Sequence, residues 1–281
     1  MKAMRRRDFI KVIAGSVFGW PFAARAQQQM PVIGWLFGVS AQAGQPQLTA
    51  FRNALGAEGF VEGQNVQIEY RWADIQYDKL PAPMRPGGNV TGATIFSYEM
   101  ESKRLGLLHE AVPATKTVAV LLNPANPNVD AQLRDAREAA SKLGVDVVAF
   151  NVPVVNADGA IAANASMAQK KAAAVLVTAD PLFNSRRAFL IAQAAQYRLP
   201  AIYEFRQFVV EGGLMSYGTV LVDAFSQVGA YTGRILKGEK PGDLPFVLPT
   251  KFQFAINLKT AKALGLEFPP TLSARADEVI E

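Results

Sequence analysis

The sequence predicts an α/β protein, with parallel sheets and helices packed on both faces. Short apolar runs alternate with amphipathic helical stretches at a regular spacing, the pattern that strand–helix–strand units produce. Half of the 281 residues are hydrophobic, enough for a sizeable core. Past the N-terminal segment no apolar run reaches the roughly 18–20 residues that a membrane-spanning helix needs.

Taken in order, Pro31–Phe37 is a short apolar run, read as a buried strand. Gln47–Gly59 fits a helix, with Leu48, Phe51 and Leu55 on one face and Gly59 as its stop. Val66–Trp72 alternates polar and apolar residues, as a half-buried strand does. Val90–Phe96 reads as a strand and Glu99–Ala111 as a helix closed by Val112-Pro113. From there the period is regular. Thr117–Leu122 is a strand, and Asp130–Leu143 is a helix with Leu133, Ala136, Ala140 and Leu143 along one face and Gly144 behind it. Val145–Phe150 is a strand, Gly159–Lys170 a weaker helix, Ala173–Thr178 a strand and Ser185–Tyr197 a helix. Pro200–Phe205 is a strand, and Val222–Lys237 is a helix ending at Gly238.

The N-terminal stretch Arg5-Arg6-Arg7-Asp8-Phe9-Ile10-Lys11-Val12 admits three readings: a nucleic-acid arm, a membrane-surface patch or an export label. The residues beyond Lys11 decide between them. Val12–Ala24 is apolar except at Gly15, Ser16, Gly19 and Pro21, and Ala24-Arg25-Ala26 precedes Gln27. A basic start, a short apolar stretch and an A-x-A site form a secretory signal peptide. Arg6-Arg7, Phe9 and Lys11 match the twin-arginine export signal, a receptor-read address and not an anchor. The charge balance agrees. The chain holds 29 basic and 24 acidic residues. Residues 1–26 hold six of the basic groups and one acid, which leaves 23 of each sign. Without the label there is no excess charge to attract nucleic acid or anionic lipid. With no cysteine, an exported chain has no disulfides and relies on its core. The expected location is the periplasm.

Catalytic patterns are largely absent. The one histidine, His109, falls inside a predicted helix. Cys–His dyads and common zinc sites are excluded. No Gly-x-Ser-x-Gly elbow or Gly-x-Gly-x-x-Gly occurs. Gly233 and Gly238 have phosphate-loop spacing but precede Glu239-Lys240, so they mark a helix end. A carboxylate-only enzyme stays open. No cofactor is expected.

Polar and aromatic residues gather instead where strands end. Leu122 runs into Asn123-Pro124-Ala125-Asn126, Thr178 into Ala179-Asp180-Pro181-Leu182-Phe183, Tyr203 into Glu204-Phe205, and Met215 into Ser216-Tyr217-Gly218. In open α/β sheets the carboxyl edge of the strands is where ligands bind. Asn and Asp there also cap helices, and prolines shape turns. Four such loops on one edge favour a pocket.

Several stretches together resemble one family. They are Gly63-Gln64-Asn65-Val66 through Tyr70-Arg71-Trp72-Ala73, Arg85-Pro86-Gly87-Gly88-Asn89-Val90-Thr91-Gly92, Ala179–Phe183, Arg187, Pro200–Phe205, Gly212–Gly218, Lys251-Phe252 and Ile256–Gly265. The chain from about Pro31 to Glu281 is similar to the ABC-transporter substrate-binding proteins of tryptophan or aromatic-acid type. The resemblance implies two Rossmann-like lobes of a type I periplasmic binding protein with a ligand in the cleft between them. It implies a small aromatic or amino-acid-like ligand, delivery to an ABC permease in the inner membrane, and no enzymatic activity. Together with the export label, the expected partners are that ligand, the permease and the twin-arginine machinery, with no nucleic acid. The expected division is a signal peptide over 1–26, a first lobe over 30–112 with 213–250 returning to it, and a second lobe over 113–212 with 251–281 as crossing segment and helix. Carried onto this chain, second-lobe contacts would be Asn123, Asn126, Asp180, Phe183 and Tyr203. Ser216 and Tyr217 would lie at the return, and Ser40, Gln42 and Thr94 in the first lobe. In the signal, Arg6 and Arg7 would be read by the export machinery, with Ala24 and Ala26 at the cleavage site.

One departure stands out. Tyr77–Ala82 resembles the start of a helix that Pro83-Met84-Arg85-Pro86 cuts off. The resemblance implies about fifty more residues here, and a parallel crossover needs at least ~10–12 residues including its helix. The first lobe is therefore expected to be truncated, and a remnant that no longer binds stays open as the alternative.

Overall fold

The computed structural model of the chain describes residues 30–38, 40–42, 44–72, 89–93, 95, 100–152 and 172–281. The export signal with Arg6, Arg7, Ala24 and Ala26, the seam at Ala82-Pro83 and the helix expected over Gly159–Lys170 lie outside the described residues.

Two sheets, one parallel and one mostly parallel, organise the described chain. The smaller pairs β1 (Val32–Phe37) with β2 (Gln67–Trp72), in register from Val32 opposite Gln67 to Phe37 opposite Trp72. Between them runs α1 (Gln45–Ala57), with Pro46 in its first turn. Period-2 alternation splits β1 into two faces. Trp35 is buried with Phe51, Leu55 and Ile68, while Val32 (57%) and Leu36 (45%) are exposed on the other side. A strand expected to be buried is therefore covered on one face only.

The larger sheet has seven strands in the order β4-β3-β5-β6-β7-β8-β9. These are β3 (Thr117–Leu122), β4 (Asp146–Asn151), β5 (Ala174–Val177), β6 (Ala201–Tyr203), β7 (Met215–Thr219), β8 (Phe252–Asn257) and β9 (Glu278–Ile280). Pairing is parallel throughout except between β7 and β8. The central strands are near-continuous apolar runs because both faces are covered. Val118, Val120, Leu122 and Leu176 pack on one side with α2 (Glu101–Ala111) and α3 (Val129–Leu143). Ala119, Leu121, Val175 and Val177 face the other side, against α4 (Pro181–Ser185), α5 (Arg187–Gln196) and α6 (Arg206–Val210). The helix expected over Ser185–Tyr197 thus starts earlier and is divided at Arg186. Asp180 accepts the Leu182 amide at 2.7 Å and Pro181 fills the first helical position, an Asp-Pro start that needs no donor where the proline sits.

Three further differences concern the crossing region. A strand is expected over Val90–Phe96, yet its described residues make only an isolated bridge, Ala93 to Val247. α2, placed by sequence in the first lobe, packs on α3, β5 and β6 of the larger sheet. β7, expected to return to the first lobe, pairs with β6 and β8 inside the larger sheet. The return is made by α7 (Leu221–Leu236), which lies along α1 and carries Phe225 and Val228 into the small core. The chain therefore crosses near residues 92–93, at 219–220 and at 247–251. Backbone bonds tie these crossings together, from Val247 to Gly92 at 2.9 Å and from Val220 to Lys251 at 3.2 Å.

The α1–α7 contact is set by glycine. A Cβ on Gly229 would lie 2.4 Å from the Phe51 carbonyl oxygen and 2.9 Å from the Ala54 Cβ. Gly229→Ala should lose about 1–2 kcal/mol, because overpacking at ~1–3 kcal/mol exceeds the gain of up to ~1 kcal/mol in helix propensity. Gly56→Ala on α1, where nothing lies within 4 Å, should be neutral or stabilising. Urea midpoints check both; an unchanged midpoint for Gly229→Ala would mean that the helices can move apart.

Candidate ligand site

The carboxyl ends of β3, β5 and β6 open onto a cleft of about 410 Å³ between the two sheets. Its floor is the turn after β5, Ala179-Asp180-Pro181, flanked by Asn126 and Gln132 from the β3–α3 connection and α3, and by Glu204 and Phe205 after β6. The facing wall comes from the smaller unit: Phe37 and Gly38 after β1, Gln47 in the first turn of α1, and Leu221 and Phe225 of α7. Phenylalanines therefore line it from both sides. The volume suits a small organic ligand.

The floor is held by a dense polar network. Asp180 accepts from the Asn126 amide at 2.7 Å, from the Asn123 amide at 3.2 Å and from the Leu182 backbone. The Asn123 and Asn126 side-chain oxygens in turn accept the amides of Ala125 and Asn128, short local loops of the kind asparagine forms. The Ala179 peptide is gripped at both ends. Its carbonyl accepts from the amide of Gln132 at 2.7 Å and of Asn126 at 3.3 Å. Its N–H donates to Glu101 at 3.1 Å.

Glu101 and Arg104 form an ion pair at 2.9 Å with both side chains fully buried. Arg104 also donates to the Tyr217 carbonyl at 3.2 Å, so the pair links the turn after β5 to β7. Burial raises the Glu101 carboxyl above the usual carboxylate range, and Arg104 acts against that rise.

The residues singled out from sequence divide into two groups. Asn126 and Asp180 line the cleft, and Asn123 stands directly behind Asp180, buried. The others lie elsewhere. Phe183 is inside the core on the α4–α6 side. Tyr203 is buried and stacked on Phe208 at 4.5 Å, and burial raises its hydroxyl well above the usual tyrosine range. Ser216 is fully buried within β7. Tyr217 stacks on Phe252, with Lys103 over its ring. Ser40 and Gln42 precede α1, beside the cleft-lining Phe37 and Gly38 but not among the lining residues. Thr94 lies outside the described residues. Sequence reasoning missed Phe37, Gln47, Gln132, Leu221 and Phe225 as cleft residues. Glu204 and Phe205 had a signal, since both directly follow the β6 run.

The profile of one protein family, described as ABC transporter substrate binding protein, matches residues 75–280. The chain belongs to that family. Solved structures similar to this substrate-binding protein share its fold. A conserved domain protein from Vibrio cholerae superposes with a TM-score of 0.77 at 20% identity, covering 89% of this chain and 100% of that one. An ABC domain in complex with L-Trp from Streptococcus pneumoniae gives 0.76 at 21% identity, covering 89% and 99%. A ligand-free, open substrate-binding protein with adhesive properties from Clostridium difficile gives 0.60 at 22%, covering 89% and 99%. No curated protein matches the chain.

Removing one partner of a buried ion pair strands the other. Arg104→Met in this substrate-binding protein should cost ~3–5 kcal/mol near neutral pH. The sign of the pH dependence comes from Glu101. A carboxyl with a raised folded-state pKa binds its proton more tightly folded than unfolded, so its stability contribution is complete below the unfolded value and is lost as pH rises through the folded one. Without Arg104 the carboxyl rises further. The deficit of Arg104→Met should therefore shrink as pH falls toward the usual carboxylate range. Denaturant melts between pH 7 and pH 5 check this; a deficit that grows on acidification would contradict it.

Proposed function

We propose that this protein is the periplasmic solute-binding component of an ABC import system and captures a small aromatic or amino-acid-like ligand between the two units, which act as lobes. The observation that carries the reading is the cleft, walled by Phe37, Phe205 and Phe225 and floored by Asn126 and Asp180. Flat apolar faces receive a ring, and a few convergent polar groups orient it. The similar Streptococcus pneumoniae structure is described with L-Trp, which supports an aromatic ligand here. A twin-arginine signal over residues 1–26 would place the chain beside its permease partner. Its task would be capture and delivery, not chemistry on the ligand.

The test is calorimetric and thermal. A screen of aromatic amino acids, aromatic carboxylates and branched-chain amino acids should yield at least one compound that stabilises the mature chain, by ~2.7 kcal/mol at a hundred times its dissociation constant. Phe225→Ala should weaken that compound about tenfold or more, since one lost aromatic contact is worth ~1 kcal/mol beyond its buried area. No stabilisation by any compound would contradict the reading.

A second reading, a truncated remnant that no longer binds, is favoured by the exposed outer face of β1 at Val32 and Leu36. The same screen separates the two. Export has its own check: Arg6→Lys with Arg7→Lys should leave the precursor inside the cell. Mature protein at full level in the periplasmic fraction would contradict twin-arginine export.

A further inference from the structure

Two buried polar atoms beside the cleft have no hydrogen-bond partner. One is the side-chain oxygen of Gln47, a residue 5% exposed; the other is that of Gln132, 1% exposed. Both residues line the cleft, from opposite sides: Gln47 from α1 of the smaller unit and Gln132 from α3 of the larger. The orientation of Gln132 is fixed by its amide nitrogen, which donates to the Ala179 carbonyl at 2.7 Å, so the atom left over is the acceptor. Unpaired buried acceptors are costly and rare, and each calls for a cause. The lining's other polar residues are three neutral asparagines, Asn126, Asn128 and Asn184, and two acids. Asp180 and Glu204 contribute carboxylates, and no Lys or Arg lines the cleft among the described residues.

We infer that Gln47 and Gln132 are the groups that read the ligand, and that the ligand presents N–H donors, as a protonated amine on an apolar or aromatic body. This rests on the solute-capture reading and narrows it. A cleft whose only charged lining residues among those described are the acids Asp180 and Glu204 favours an ammonium and repels a ligand whose only charge is a carboxylate. The two oxygens come from different units, so one donor group meeting both also ties the units together. Ligand binding then satisfies groups that the free protein leaves unpaired, and affinity and closure draw on the same contacts.

The test uses the mature chain and three matched probes: 2-phenylethylamine, L-phenylalanine and 3-phenylpropanoate, with a set of uncharged sugars alongside. Calorimetry should show the amine and the amino acid binding, and the acid at least tenfold more weakly than the amine. Binding of the acid as tightly as the amine overturns the inference and leaves solute capture standing. A sugar that binds when none of the three does overturns the inference and the aromatic part of the proposed function. Silence from every probe overturns both.

Gln47→Met supplies the residue-level test. An apolar side chain of similar length removes the unpaired oxygen, so the free protein should melt at an equal or higher temperature while amine affinity falls at least tenfold. Gln47→Glu, which keeps an acceptor, should retain amine binding. A lower melting temperature for Gln47→Met would show that the free protein already satisfies that oxygen, and would overturn the assignment. So would unchanged amine affinity in the same variant.

Discussion

The Ala179 peptide is the point on which the cleft depends. It sits where β5 ends, and Asn123, Asn126, Gln132 and Glu101 all reach it or its neighbour. Glu101 holds its N–H from behind, and Gln132 and Asn126 hold its carbonyl from the side. The next residue, Asp180, starts α4 and collects both asparagine amides. A buried carboxylate is tolerated at Glu101 because Arg104 lies 2.9 Å away and because the remaining lone pairs meet a backbone donor. The result is a floor fixed by charge-assisted bonds and not by packing alone, which is the kind of support a binding site needs if its polar groups are to stay in place.

The opposite wall is built differently. Its lining residues are apolar apart from Gln47, and it relies on aromatic packing. Trp35 lies 4.9 Å from Phe51 and 5.8 Å from Phe225, and Phe37 meets Phe225 edge-on at 5.2 Å. α7 provides Phe225, and α7 comes directly after β7 of the larger sheet. One helix thus belongs by sequence to one unit and by packing to the other. The glycines at 229 and 233 allow it to approach α1 closely enough to seal the small core. Apolar contacts are non-directional, so the aromatic contacts of this wall fix its position less specifically than the hydrogen bonds fix the floor. Rigid floor and adaptable wall suit a protein that closes on a solute.

Much of the larger sheet is legible in the sequence, because strands covered on both faces read as unbroken apolar runs: Thr117–Leu122 is found as expected. Asn126 and Asp180 are legible because a polar residue directly after such a run falls at the strand's carboxyl edge. Tyr203 and Phe183 are misplaced by sequence for a physical reason. An aromatic residue near a strand end points to the cleft or to the core according to a period-2 alternation and a helix start that the local sequence does not mark. Phe37 and Phe225 are not legible as cleft residues, since they belong to separate apolar stretches that only tertiary packing brings together. Gln47 and Gln132 look like ordinary polar helix positions until their burial is known. Sequence assigns β7 to the wrong sheet because its partners β6 and β8 are themselves set by long-range pairing.

The central claim is that the two units close on a solute held between them. The chain has no cysteine, so spin labels can be placed specifically. Asn53→Cys on α1 and Arg137→Cys on α3 put one label on an exposed position of each wall. Electron–electron distance measurements should give a broader distribution in the free protein, and a shorter, narrower one with a bound amine-bearing aromatic ligand. A distribution that the ligand leaves unchanged, while calorimetry shows it bound, would contradict the account.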